Sequence, residues 1–134
     1  MKKLLIKSTV LLLTVSCGNA PDIEQNGYDC LRQARTSLGA NDFKIARRHI
    51  ETLRNDFPLA LNAREEGILL LDSIYLFEAQ MNLNYAIRLL RDKSLPKALR
   101  DSTLMRKDEA EQKMNFFSKK LEHDKKNQAV HPTH

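Results

Sequence analysis

The segment from residue 42 to residue 58 constrains the fold of this chain most strongly, because its apolar residues recur at every third or fourth position. This spacing is typical of an α-helix that buries one face. Pro58 ends the pattern, and proline cannot continue a helix. The segment is therefore predicted to be an amphipathic helix. Its inner face comprises Phe43, Ala46, Ile50, Leu53 and Phe57.

A second helix is predicted just before it, over residues 28–38. The positions on one face of this helix are Tyr28, Leu31, Ala34 and Leu38. Gly39 suits the position just after the helix, and Asn41 or Asp42 suits the N-cap of the helix that follows. Two short helices joined by a turn of about four residues pack as an antiparallel hairpin.

This helix pair resembles the tetratricopeptide repeat (TPR). The matching positions are a small residue on the first helix, the aromatic residue and alanine that open the second, a later apolar residue and a closing proline: Ala34, Phe43, Ala46, Ile50 and Pro58. Cys30, Gln33 and Ser37 stand where the family has large apolar residues. The resemblance therefore covers one degenerate repeat, about a quarter of the chain. It implies stacked helical hairpins with a concave surface that binds another protein.

Residues 59–81 are apolar on nearly every side, which predicts a long helix at the centre of the fold. A break is predicted at Asn82, followed by a short helix over residues 83–90. Residues 92–96 are predicted to form a linker.

Residues 97–126 are predicted to form a long final helix with a narrow apolar seam. The seam consists of Ala110, Met114, Phe117 and Leu121, in 4-3-4 spacing. Either the seam docks on the preceding hairpins as a capping helix, or it is exposed and binds a partner. The predicted fold is thus all-α, with TPR-like antiparallel hairpins over residues 28–126 and a long C-terminal capping helix. Residues 127–134 are predicted to be a disordered tail.

The start of the chain has the features of a secretory signal. Lys2 and Lys3 precede an apolar run over residues 4–15, which is too short to cross a bilayer as a helix. Residues 13–18, LTVSCG, resemble the lipobox of bacterial lipoproteins, with Thr14 where the family most often has leucine. The resemblance implies that residues 1–16 are removed as a signal peptide and that Cys17 carries the lipid. Residues 17–27 would then be a flexible tether.

Two other interpretations of this start fit the sequence less well. Cleavage after Ala20, with Gly18 as the second small residue, would leave Pro21 after the cut, where it makes a poor substrate. An uncleaved membrane anchor is disfavoured by the short apolar run. Gly18 after the cysteine resembles the pattern of lipoproteins that reach the outer membrane. The sequence therefore predicts a lipid-anchored protein of the bacterial cell envelope, in the outer membrane and facing the periplasm or the surface. Its predicted architecture is similar to that of helical lipoproteins of outer-membrane assembly.

The net charge argues against nucleic acid as a partner. The whole chain has 22 basic and 17 acidic residues, a formal charge of +5. Without Lys2, Lys3 and Lys7 of the signal peptide, the mature chain would be only mildly basic. Nucleic-acid-binding domains carry a strongly basic face.

No set of residues in the sequence has the spacing of a catalytic or metal site. Cys30 is the only cysteine besides Cys17, and it is predicted to be buried in its helix or to pair between chains. His131 and His134 lie in the predicted tail, where nothing fixes a metal geometry. The sequence thus predicts no enzyme activity, no cofactor and no metal.

The predicted function is a non-catalytic protein-interaction or scaffold module of the envelope. The candidate partner-binding residues, which would favour an acidic segment, are Arg35, Arg47, Arg48, Arg54 and Arg64. The alternative is a small structural lipoprotein that binds envelope lipid or cell wall through its lysine-rich C-terminal helix, over residues 119–126.

Overall fold

The computed structural model describes residues 22–130, which form four helices. These are α1 (Ile23–Gly39), α2 (Phe43–Asp56), α3 (Leu61–Leu90) and α4 (Lys97–Val130). The described residues contain no strand, so the all-α prediction is confirmed. Helix α3 lies at the centre and packs against the α1–α2 hairpin and against α4. The predicted lipidation site at Cys17 and residues 131–134 lie outside the described part of the chain.

Helix α1 begins five residues earlier than predicted. Asp22 is its N-cap, and its Oδ1 accepts hydrogen bonds from the backbone N–H groups of Glu24 and Gln25 at 3.1 and 3.3 Å. The predicted tether over residues 17–27 is therefore wrong for residues 23–27, which are helical. Gly27 suggested a turn, but it is needed for close packing: a Cβ there would lie 2.7 Å from the Cβ of Ala60.

The turn between α1 and α2 differs in detail from the prediction. Gly39 is the last helical residue rather than a left-handed residue after the helix. The left-handed position is taken by Asn41, which has φ of 60°, and asparagine tolerates this conformation better than most residues. Of the two predicted N-cap candidates, Asp42 is the N-cap of α2, and its carboxylate accepts from the N–H of Ile45 at 3.1 Å.

The core lies where α1, α2 and the first half of α3 meet. Its largest fully buried side chains are Leu31, Ile50, Leu53 and Ile74. Alanine residues between them, including Ala34, Ala46 and Ala63, are also fully buried and let the helix axes approach. Cys30 belongs to this cluster as a free, buried cysteine, which is the first of the two predicted alternatives.

Helix α3 is continuous, so the predicted break at Asn82 is wrong. The apolar residues of α3 change sides along its length. Leu70 and Ile74 belong to the core with α1 and α2, whereas Leu83 and Ala86 are buried outside that cluster, where α4 packs against α3. A sequence pattern that shifts from one face to another resembles an interruption, although the backbone helix continues.

Helix α4 packs along α3, so the predicted seam docks internally. Ala110 is buried, and the ring of Phe117 stacks on Tyr75 of α3 with centroids 4.8 Å apart. The helix extends to Val130, and the side-chain amide of Gln128 donates to the backbone oxygen of Glu65 at 2.9 Å. The predicted tail is therefore wrong for residues 127–130. Over residues 22–130, no helix is long and apolar enough to cross a membrane.

Candidate functional site

A groove of about 640 Å³ lies between α2, α3 and α4. It forms because α2, with 14 residues, is much shorter than α3, with 30, so α3 and α4 continue beyond the hairpin. Helix α2 contributes Arg47 to the lining. The second half of α3 contributes Tyr75, Glu78, Ala79, Asn82, Tyr85, Ala86 and Leu89, and α4 contributes Thr103, Arg106, Glu109, Ala110, Lys113 and Phe117.

Small buried side chains form the floor of this groove. Ala79 and Ala86 of α3 and Ala110 of α4 are all buried. Thr103 is buried beside them, and its hydroxyl donates to the backbone oxygen of Leu99 at 2.7 Å. Because the floor consists of methyl groups and a satisfied hydroxyl, it offers apolar contact without an unpaired polar atom.

Aromatic side chains form the walls. Tyr75 and Phe117 stack with an interplanar angle of 17°, and the guanidinium of Arg47 lies 5.4 Å from the centroid of the Tyr75 ring. Tyr85 lines the groove as well and is 56% exposed. Tyrosine provides a large contact area at low conformational cost and is enriched at protein interfaces.

Most charges around the groove are paired. Arg47 Nη1 lies 2.5 Å from Glu78 Oε2, which joins α2 to α3. Lys113 Nζ lies 2.6 Å from Glu109 Oε1, within α4. Arg106 is exposed and forms no ion pair with any residue of the described segment. It is therefore the lining cation best placed to meet a carboxylate of a bound molecule.

The structure does not bring the five predicted arginines together. Arg47 lines the groove, whereas Arg35 on α1 pairs with Glu66 at 2.9 Å. Arg64 donates to the backbone oxygen of Pro58 at 2.8 Å and shares a separate depression with Arg54. Arg48 is exposed on α2.

The aromatic residues of the groove were not predicted as site residues. Tyr75 and Tyr85 lie in a helix rich in apolar residues, and a tyrosine there usually keeps its hydroxyl near solvent. This preference of the tyrosine hydroxyl for solvent is the feature of the sequence that could have indicated these two residues. The partner helix that completes the groove is too distant in sequence to be identified from the pattern.

An ion pair between a buried carboxylate and a partly exposed ammonium joins α4 to α3 next to the groove. Asp72 of α3 is only 3% exposed, and its Oδ2 accepts from Lys120 Nζ at 2.7 Å. The same ammonium donates to Asp124 Oδ2 at 2.7 Å. Burial raises the pKa of Asp72 despite the opposing effect of Lys120. Hydrogen bonds to Asp124 and Asp72 raise the pKa of Lys120, so its ammonium stays charged near neutral pH.

Two findings on residues 22–130 concern metal binding and the reactivity of Cys30. No group of three or more His, Cys, Asp or Glu side chains among them is arranged to hold a metal ion. Burial raises the pKa of the Cys30 thiol, and Asp56 and Asp29 add to the effect. A thiol with a raised pKa is a weak nucleophile because the thiolate is the reactive form.

Comparison with known proteins gives no relative. The chain matches no protein-family model, and searches of curated proteins and of solved structures give no match. Its function is therefore inferred from its own residues and geometry.

Proposed function

We propose that this chain is a lipid-anchored protein of the bacterial cell envelope that binds a segment of another protein in the groove between α2, α3 and α4. The observation that carries the proposal is the groove itself, with its methyl floor, its aromatic walls and Arg106, which has no ion-pair partner within residues 22–130. Groove surfaces on helical hairpins bind peptide segments without any chemistry of their own.

The lining indicates the chemistry of the segment. An apolar or aromatic side chain fits over Ala79, Ala86 and Ala110, where it would displace water from methyl groups. A carboxylate on the same segment would meet Arg106. We therefore propose an apolar segment with an acidic residue, rather than a purely acidic one, because Arg47 and Lys113 already have carboxylate partners.

The anchor is proposed from the resemblance of residues 13–18 to a lipobox, with Cys17 as the acylated residue. A lipid anchor keeps the protein in the envelope and leaves the helical domain to bind its partner. Several acyl chains give effectively permanent attachment, at about 0.8 kcal/mol per buried CH₂.

The test is site-specific photocrosslinking in cells. A photoreactive residue at position 85, inside the groove, should yield a discrete adduct with one partner protein. The same residue at position 88 is the matched control, because Arg88 is exposed on α3 and borders a different depression. Arg106→Glu should reduce the adduct severalfold, whereas Arg88→Glu should not.

Equal adducts from positions 85 and 88, or an adduct that Arg106→Glu leaves unchanged, would contradict binding in the groove. Cys17→Ala tests the anchor separately. It should release the protein from the membrane fraction, and a variant that remains bound would contradict lipidation at Cys17.

The alternative, lipid or cell-wall binding through residues 119–126, has less support. Lys120 is held by Asp72 and Asp124, and Lys126 pairs with Glu122 at 2.7 Å. Only part of the positive charge of this segment therefore remains available for a phosphate or a polysaccharide.

A further inference from the structure

Two leucines are exposed where α2 connects to α3. Leu59 is 71% exposed and Leu61 is 64% exposed, while Ala60 between them is fully buried. The buried alanine fixes this connection against the body, so the leucines are held outward rather than being free to fold in. With the partly exposed Ile68, which lines the same depression as Leu61, they form an apolar region at this end of the body.

The beginning of α1 lies at this same end of the molecule. The carboxylate of Glu24 accepts from the backbone N–H of Ala63 at 2.6 Å. Gly27 packs directly against Ala60 and Ala63. Asp22, the first residue that the structure describes, therefore lies at the end of the body that carries Leu59 and Leu61.

The distance from the proposed anchor to the body is short. The segment from Cys17 to Asp22 spans at most about 18 Å when fully extended. Helix α3 alone is roughly 45 Å long at about 1.5 Å per residue. An anchor at Cys17 would thus hold the Leu59 end of the body near the bilayer and keep the α3–α4 turn away from it.

We infer that this end of the body is a second membrane contact, in which Leu59 and Leu61 enter the boundary between headgroups and acyl chains. Arg54 and Arg64 line the depression around Leu61 and would lie at the level of the lipid phosphates. Asp56 and Glu65 are also near this end, so the apolar contact, rather than net charge, provides the main attraction. This inference rests on the lipid anchor of the proposed function.

The contact would orient the binding groove. Gln128 lies at the membrane end through its bond to Glu65, and Met105 lies roughly 35 Å from it along α4 at about 1.5 Å per residue. The groove, which extends along this part of α4, would then open well above the lipid surface, where a partner can reach it.

The chain contains no tryptophan, so single tryptophans can report membrane depth. The full-length lipidated protein would be reconstituted into phosphatidylethanolamine–phosphatidylglycerol vesicles with and without brominated acyl chains. Leu59→Trp and Leu61→Trp are the reporters. Met105→Trp, at an exposed position of α4, is the matched control. All three sites are exposed, so the substitutions should leave the fold intact.

We expect the emission of the two reporters to shift to shorter wavelength and to lose about half of its intensity in brominated vesicles, with little change for Met105→Trp. Vesicle flotation separates the two proposals. Protein that floats with vesicles but shows no quenching at positions 59 and 61 retains the anchor and overturns the membrane contact. Equal quenching at position 105 also overturns it. Protein that does not float with the vesicles would contradict the lipid anchor and, with it, the membrane contact.

Discussion

Lys120 in α4 donates to the buried carboxylate of Asp72 in α3 at 2.7 Å, and this bond joins the two longest helices. Asp72 and Lys120 each lie about one helical turn from the stacked rings of Tyr75 and Phe117. The ion pair and the aromatic stack together hold α4 at one side of the groove. Apolar packing alone would let two long helices slide, whereas a buried charge has one favourable partner position.

Removal of the ammonium should destabilise the protein. Lys120→Met leaves Asp72 buried without its partner, and we expect a loss of about 1–3 kcal/mol in the free energy of unfolding. The lower part of the range is favoured because Lys120 is partly exposed. Urea denaturation followed by circular dichroism would measure this change. Lys113→Met, which breaks an exposed pair with Glu109, should cost under about 0.5 kcal/mol. Equal losses for both variants would refute a special role for the buried pair.

The two glycines at opposite ends of α1 should respond in opposite directions to alanine. In Gly27→Ala the new Cβ would lie 2.7 Å from the Cβ of Ala60 and 2.8 Å from that of Ala63, so we expect a loss of about 1–2 kcal/mol. Gly39 has no atom within 4 Å of such a Cβ and has no positive φ, so Gly39→Ala should stabilise by about 0.5–1 kcal/mol. Thermal and urea unfolding would measure both. A neutral Gly27→Ala would mean that α1 does not approach α3 this closely.

Adjacent phenylalanines in α4 should differ in importance. Phe117 stacks on Tyr75 and is partly buried, whereas Phe116 is 59% exposed. We expect Phe117→Ala to cost about 2 kcal/mol, less than a fully buried phenylalanine, and Phe116→Ala to cost under about 1 kcal/mol. Chemical denaturation would measure the free energy of unfolding of both variants. A larger loss for Phe116→Ala than for Phe117→Ala would mean that the other face of α4 packs against α3.

The raised pKa of Cys30 predicts a loss of stability at alkaline pH. Because the folded state favours the neutral thiol, the stabilising contribution of Cys30 is fully present below the ordinary thiol pKa of about 8.5 and is lost as pH rises through the higher pKa of the folded state. Wild type should therefore lose stability relative to Cys30→Ala between pH 7 and pH 10. Urea midpoints of the two proteins at several pH values would measure this. A constant difference across that range would contradict the burial of the thiol.

Much of the architecture could be predicted from short-range pattern. The three- and four-residue spacing of Ala46, Ile50 and Leu53 gave the inner face of α2, and Asp42 gave its N-cap. The seam around Ala110 and Phe117 gave the face of α4 that packs. These features depend on the geometry of one helix, which the sequence specifies directly.

The errors occurred where a residue has a different role in the folded protein from the one its local context suggests. Gly27 was interpreted as part of a flexible tether because glycine often occurs in turns, but contact with Ala60 requires it within a helix. A break is predicted at Asn82, but α3 continues through it, and the buried apolar residues of α3 lie on different sides before and after this point. Both misinterpretations concern packing between helices, on which a single-helix pattern gives no information.

The sequence alone determined that the chain forms helices, where α2 begins and ends, where α4 begins, and which faces of α2 and α4 pack, because these properties depend on neighbours within one or two turns. Tertiary structure decided how far α3 and α4 extend beyond the α1–α2 hairpin, and hence that a groove forms there. It also placed Arg47, Tyr75 and Phe117 together and left the other arginines elsewhere. Contacts between residues distant in sequence depend on helix lengths and crossing positions, which only the packed chain specifies.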